Sequence, residues 1–102
     1  MMNLYVVYDQ AVGMYMPPWI VRSDHEAHRA LFECVSDPSH RFGAHPTDFR
    51  CYRVGSFDPN TGMVHPEDAP VFVVSCDQIA NQIASGRTRE LFTETPELEV
   101  VR

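Results

Sequence analysis

The feature that most constrains the fold is one amphipathic helix set between strand-like segments. Over residues 24–36 the apolar side chains follow the spacing of a single helical stripe. Ser23 and Glu26 form a Ser-x-x-Glu capping box at its start, and Asp37-Pro38 ends it. A stripe of this kind must cover an apolar surface, and strands on both sides can supply it. The stripe consists of Ala27, Ala30, Leu31, Cys34 and Val35.

Strands are predicted where β-branched and aromatic residues cluster between turns. Pro17 and Pro18 cannot donate to a ladder, so the second strand should lie at an edge or begin at Trp19. The last strand is nearly all apolar and is expected at the centre of the sheet. The predicted strands are residues 3–8, 15–22, 49–57 and 71–75, with a short strand at 63–65 after the turn at 58–62, while residues 37–48 are predicted to be a loop with one helical turn near Pro46.

A short second helix is predicted after residue 75, where Ser75 to Gln78 forms another capping box and Gly86 is expected to end the helix. Residues 87–102 then carry four glutamates, which favours an acidic C-terminal tail outside a single domain of residues 1–86. The element order predicts an α+β fold. Its mostly antiparallel sheet would have four or five strands, with one main helix packed across it.

The charge excludes a protein that coats nucleic acid by charge alone. The formal net charge is -6, and the eight basic residues are all arginines. Chains that bind DNA mainly through phosphates are normally basic. Any nucleic-acid contact must therefore come from a few well-placed arginines.

The predicted strand at residues 49–57 could position arginines in this way. Alternation puts Phe49 and Cys51 on the more apolar face, toward the helix, and leaves Arg50 and Tyr52 facing outward. An arginine beside an exposed tyrosine is a small stacking-plus-phosphate platform for single strands. An amphipathic strand with a solvated arginine explains the same pattern, and the C-terminal arginines can equally pair with the tail glutamates. The candidate nucleic-acid contacts are Arg50, Tyr52, Arg53, Arg87 and Arg89.

A different set of residues suggests a protein interface. Tyr15, Met16 and Trp19 crowd the predicted edge strand. If they are exposed, they form an apolar patch beside a sheet edge, which favours a homodimer. If they are not, Trp19 fills the core under the helix.

The sequence contains little that supports a catalytic site or a metal-binding site. His25 and His28 are three residues apart, and neither H-E-x-x-H nor C-x-x-C occurs. No serine lies in a G-x-S-x-G elbow, no glycine-rich phosphate loop is present, and the three cysteines are expected to be buried thiols. We therefore expect a non-enzyme without cofactor or metal. No apolar run approaches about 18 residues, and the first residues lack a basic region, so neither a membrane span nor a secretory signal is expected.

Several longer stretches resemble one phage family. They are LYVVYD at 4–9, MPPWIVRSDHEAHRAL at 16–31, DPSHRFGAHPTDFRCYRVGSFDPNTG at 37–62 and PVFVV at 70–74. The sequence resembles the small non-structural protein of gokushoviruses, which are Microviridae phages with small circular single-stranded DNA genomes. The total absence of lysine departs from that family's usual composition.

The resemblance implies a non-structural accessory protein of the host cytoplasm, acting in single-stranded DNA replication or genome packaging. It carries over no catalytic residue. The expected partners are single-stranded DNA and phage replication or procapsid proteins, together with the second copy that the apolar edge strand suggests. The alternative is a protein-only interaction module, a dimer or an adaptor to those phage proteins, with no nucleic-acid contact.

Overall fold

A computed structural model describes residues 1–92 of the chain and the side chains of residues 1–86. Antiparallel strands form one sheet in the order β2-β1-β4-β5, and β3 also pairs with β1. Helices pack on one face of this sheet, so the predicted α+β architecture is confirmed. The strands are β1 (Met2–Asp9), β2 (Met14–Tyr15), β3 (Trp19–Val21), β4 (Phe49–Asp58) and β5 (Met63–Ser75). The helices are α1 (Asp24–Val35), α2 (Arg41–Ala44) and α3 (Cys76–Phe92), with a 3-10 turn at Pro46–Asp48.

The main helix forms where the sequence predicts it. The Ser23 hydroxyl accepts a hydrogen bond from the backbone N–H of Glu26 at 3.2 Å, which satisfies one of the free donors of the first turn. The carboxylate of Glu26 accepts from the backbone N–H of Arg22 at 3.0 Å. Ala27, Leu31 and Val35 are buried against the sheet. The capping box and the stripe together fix both the start of α1 and the face it turns inward.

The two prolines divide the predicted strand at 15–22. β2 and β3 both pair with β1, and Pro17-Pro18 lie between them without strand structure. Met16 still donates its N–H to the carbonyl of Val7 at 2.8 Å, so the segment stays against the sheet. The segment lies at the edge, as proline's missing donor requires.

The predicted turn at 58–62 is also confirmed. Gly62 has φ +75°, a conformation that glycine adopts without a Cβ clash, and its N–H donates to the carbonyl of Asp58 at 2.7 Å. This turn connects β4 to β5.

The prediction that residues 71–75 form a central strand is wrong. They are the last part of β5, which among the described residues pairs only with β4 and therefore lies at an edge. Val74 is buried opposite Cys51, whereas Phe72 is 49% exposed on the other face. The run is apolar because both faces of this edge strand carry apolar side chains, one toward the core and one toward solvent.

Two further boundaries differ from the sequence prediction. The segment read as a loop contains α2, whose Phe42 is buried and stacks near Phe49 with ring centroids 4.6 Å apart. α3 continues through Gly86 to Phe92, so this glycine does not end the helix. Residues 93–102 of the predicted tail lie outside the described residues. No helix of the described part is long and apolar enough to span a membrane.

Burial should make two of the three cysteines unreactive in the folded protein. Cys51 and Cys76 are each 1% exposed, and burial raises the pKa of both thiols to about 12. The rise from 9.0 to about 12 lowers the thiolate fraction near neutral pH by roughly a thousandfold, and only the thiolate is nucleophilic. At pH 8 we expect a thiol reagent to label the half-buried Cys34 and to leave Cys51 and Cys76 at least a hundredfold slower.

Mass spectrometry of the labelled peptides measures these rates. In denaturant all three cysteines should react together, which controls for the reagent. Labelling of Cys51 or Cys76 at the rate of Cys34 in native buffer would contradict this burial.

Candidate nucleic-acid interface

The face of the sheet that the helices leave uncovered carries a row of aromatic side chains. We call Tyr8, Tyr15, Tyr52 and Phe72 the aromatic row, and they come from β1, β2, β4 and β5. Ring centroids are 4.9 Å apart for Tyr8 and Tyr15, 6.0 Å for Tyr15 and Tyr52, and 5.8 Å for Tyr52 and Phe72. All three pairs meet edge to face, the favoured arrangement for aromatic quadrupoles. The row therefore crosses the sheet from β2 to β5, with an offset of two residues between β1 and β4.

Strand register assembles this row. Tyr8 is the cross-strand partner of Tyr15, and Tyr52 is the partner of Phe72. Val6, the cross-strand partner of Tyr52, is only 9% exposed. Cross-strand aromatic pairs of this kind stabilise the sheet, and they hold their rings in place before any ligand arrives.

The ends of the row are open to solvent. Tyr15 is 48% and Phe72 49% exposed, and Ile20 on the same face is 43% exposed. Contiguous exposed apolar surface of this kind marks a binding site on a soluble protein. About half of the Tyr15 and Phe72 surfaces is thus accessible to a ligand.

Arg50 lies beside the row. Its cross-strand partners are Tyr8 and Ser75, and it is exposed. No residue of the described part forms an ion pair with it. The predicted outward direction of Arg50 is confirmed, because Phe49 and Cys51 are 3% and 1% exposed on the core side. The structure thus places a cation next to the half-buried Tyr8 of the aromatic row.

Arg53 does not join this face. It lies on the helix side of β4, where its guanidinium contacts Asp24 at 2.8 Å and Glu67 at 3.1 Å. Glu67, then Asp24, raise the pKa of Arg53 by hydrogen bonding. Asp24 also accepts a hydrogen bond from the Tyr5 hydroxyl at 2.5 Å. This arginine thus connects the start of α1 and a part of β5 to β4.

The predicted protein-interface residues separate onto two faces. Tyr15 belongs to the aromatic row, whereas Met16 and Trp19 pack against the core on the helix side. The Trp19 ring lies 5.3 Å from that of Tyr5. Trp19 and Met16 form one wall of an apolar cleft of about 270 Å³, whose other wall is α1.

The remaining candidates, Arg87 and Arg89, stay predictions. Arg87 and Arg89 fall in α3, and their side chains lie outside the described part of the chain. His25 and His28 lie on α1, and no group of three or more metal-ligating side chains occurs among the residues described.

Sequence reasoning missed Tyr8 and Phe72. Alternation in β1 gave a usable signal for Tyr8, because Tyr5 and Val7 face the core and the residue between Val7 and Asp9 must face outward. Phe72 carried no such signal, since its segment is apolar on both faces and only the pairing with β4 shows which side is open.

Comparison with protein families identifies the relationship. The family described as Phage ORF5 protein matches residues 2–79. The chain belongs to the Phage ORF5 protein family. The predicted relationship to a phage protein is therefore confirmed, and it is consistent with a phage non-structural protein. No curated protein and no solved structure matches the chain. The part of the chain that matches the family contains β1 to β5, and so it includes the whole aromatic row.

Proposed function

We propose that this phage protein is a non-catalytic accessory factor that binds single-stranded DNA through the aromatic row and Arg50. The observation that carries the proposal is the assembly of four aromatic side chains and one exposed arginine on the sheet face that no helix of residues 1–92 covers. The resemblance to gokushovirus proteins supports it, because such phages replicate and package single-stranded genomes. The protein would act in the host cytoplasm during one of those two stages.

The chemistry of the face suits single strands rather than duplexes. Unpaired bases expose their flat faces and stack on aromatic side chains, whereas a duplex buries those faces in its own stack. Tyr52 and Phe72 meet edge to face with ring centroids 5.8 Å apart, so a base would stack on the exposed part of a ring rather than insert between the two. Arg50, beside Tyr8, supplies a phosphate contact.

The charge limits the affinity. With a net charge of -6 the chain repels a polyanion at long range, and Arg50 is the cation placed beside the aromatic row. For single strands log K changes with log salt by about -0.7 for each neutralised phosphate, so the salt dependence should be shallow. Stacking must therefore provide most of the binding free energy.

Fluorescence anisotropy of a labelled mixed-sequence single strand, titrated at about 50 and 200 mM salt, tests the proposal. Tyr52→Ala should weaken binding by about 5- to 150-fold, because one stacking platform contributes about 1–3 kcal/mol. Phe32→Ala is the matched control. It removes an aromatic ring that is 43% exposed on α1, on the helical side of the sheet, and should leave the affinity unchanged.

Arg50→Ala separates the phosphate contact from stacking. It should reduce the salt slope by about 0.7 while the remaining binding still depends on Tyr52. Arg29→Ala, at an exposed position of α1, controls for the loss of one charge. Absence of binding at about 50 mM salt, or a Tyr52→Ala variant that binds like the wild type, would refute the proposal.

A further inference from the structure

The sheet face that the helices leave uncovered is apolar well beyond the aromatic row. Because Tyr5 and Val7 of β1 lie in the core, the residues that alternate with them point to the uncovered face. Cross-strand partners share a face, so β3, β4 and β5 each add an apolar side chain next to this part of β1. We call Met2, Leu4, Ile20, Phe57 and Val64 the distal patch, since they lie toward the other end of the strands from Tyr8 and Tyr15.

The distal patch is not part of the core. Its five side chains neither belong to the buried cluster under the helices nor pack against that cluster. Ile20 is 43% and Val64 is 48% exposed, and the other three side chains are half-buried. An antiparallel sheet with one face in water normally places polar side chains on that face. An uncovered face that is apolar from Met2 to Tyr8 therefore indicates an interaction surface.

Charge on this face favours an uncharged partner surface. Among the paired positions that the structure describes here, Arg50 is the one charged residue, and it lies at the aromatic end beside Tyr8. The net charge of -6 is therefore carried elsewhere on the chain and does not oppose a contact at the distal patch. The chain itself presents a matching surface, because a second copy has the same flat and apolar face.

The area of the face is sufficient for a weak dimer. The sheet is four strands wide, and β1 contributes residues 2–8 along its length. With strands about 4.8 Å apart and a rise of about 3.4 Å per residue, the face covers roughly 450 Å². Two such faces together approach the roughly 1,000 Å² that a specific interface requires. We therefore expect association in the micromolar range.

We propose that two copies of the chain pack face to face through this sheet face, with the aromatic row of each copy on the distal patch of the other. Identical surfaces then meet about a two-fold axis, which closes the dimer and prevents further growth. Sheets packed in this way lie about 10 Å apart, with strand directions within about 30° of each other. The two Arg50 side chains lie at opposite ends of the interface, so the like charges do not meet.

The dimer would regulate access to the aromatic row. A second copy covers the row, so it competes there with single-stranded DNA. This consequence rests on the proposed function, whereas the dimer itself does not. DNA would bind the monomer, and its apparent affinity would fall as the protein concentration rises above the dissociation constant of the dimer.

Sedimentation velocity of the full chain between about 5 and 500 μM measures the association directly. The weight-average mass should rise from the monomer value of 11.6 kDa toward twice that value. Because both copies carry a net charge of -6, raising the salt from about 50 to 500 mM should strengthen the dimer by screening their repulsion. Binding of DNA responds to salt in the opposite direction.

A pair of neighbouring variants makes the test specific. Val64→Glu places a charge within the distal patch and should weaken the dimer at least tenfold. Met63→Glu is the matched control, because Met63 is 59% exposed and points to the other face of β5. Ile20→Glu introduces the same charge from β3 and should act like Val64→Glu. Circular dichroism verifies the fold of all three variants.

Four results would overturn the proposal. They are a monomer at every concentration, a dimer that salt weakens, equal dimer strength for Val64→Glu and Met63→Glu, and a dimer that persists when single-stranded DNA saturates it. A monomer that binds DNA would refute this inference alone. A chain that dimerises as described but does not bind DNA at concentrations where it is monomeric would refute the proposed function alone.

Discussion

Gly43→Ala is expected to lower the free energy of unfolding by about 2–3 kcal/mol, the cost of overpacking where the surroundings cannot yield. A Cβ at this position would lie 2.2 Å from the carbonyl oxygen of Asp37 and 2.8 Å from that of Val35. Both atoms belong to the backbone at the end of α1, so no side-chain rotation relieves the contact. α2 would have to move away from α1, and the packing of Phe42 would be lost with it. Denaturant unfolding followed by circular dichroism measures the loss.

Gly86→Ala is the control for the chemistry of this substitution. Gly86 lies within α3, and a Cβ there meets no atom within 4 Å. Alanine should therefore stabilise the protein by about 0.5–1 kcal/mol through its greater helix propensity. Equal unfolding free energies for Gly43→Ala and the wild type would show that α2 does not lie against the end of α1.

Phe42→Ala is expected to cost about 3–5 kcal/mol, the range for removing a large aromatic side chain from a core. Phe42 is 6% exposed and packs near Phe49 and His40, with ring centroids 4.6 and 4.8 Å away. Its loss would open a cavity between α1, α2 and the sheet. The more completely this cavity collapses, the smaller the loss of unfolding free energy will be within this range. Chemical unfolding at constant pH gives the free energy and the denaturant slope together.

Phe32→Ala is the matched comparison for Phe42→Ala. It makes the same chemical change at a ring that is 43% exposed, and we expect a loss below about 1 kcal/mol. If the two variants lost the same free energy, Phe42 would not be a core residue. The pair thus tests the structure of a segment that the sequence alone did not reveal.

The elements that sequence analysis found are those fixed by neighbouring residues. α1 follows from Ser23, Glu26 and a regular stripe, all within about four helical turns. The face of β4 follows from alternation, and Pro17-Pro18 place their strand at an edge. Each of these predictions depends on local geometry that tertiary contacts did not override.

The features it missed depend on distant contacts. α2 has only four residues, which is too short for a periodic signal, and it is held by Phe42 packing against Phe49. The edge position of β5 depends on its pairing with β4, which an apolar composition cannot predict. Of the aromatic row, only Tyr52 was identified as a nucleic-acid contact, because Tyr8, Tyr15 and Phe72 join it through register across four strands. Arg53 is a candidate nucleic-acid contact only because it is an arginine. The alternation of side chains along β4 already predicts that it faces the helix side, where it contacts Asp24.

The edge position of β5 has a consequence for aggregation. A long open strand next to an exposed aromatic face is a template on which further chains can polymerise. β5 carries Pro66 and Pro70, which cannot donate a backbone hydrogen bond, and the charged Glu67 and Asp68 between them. These four residues interrupt the edge where fibril growth would begin. They allow the chain to expose an aromatic surface while they limit aggregation through strand pairing.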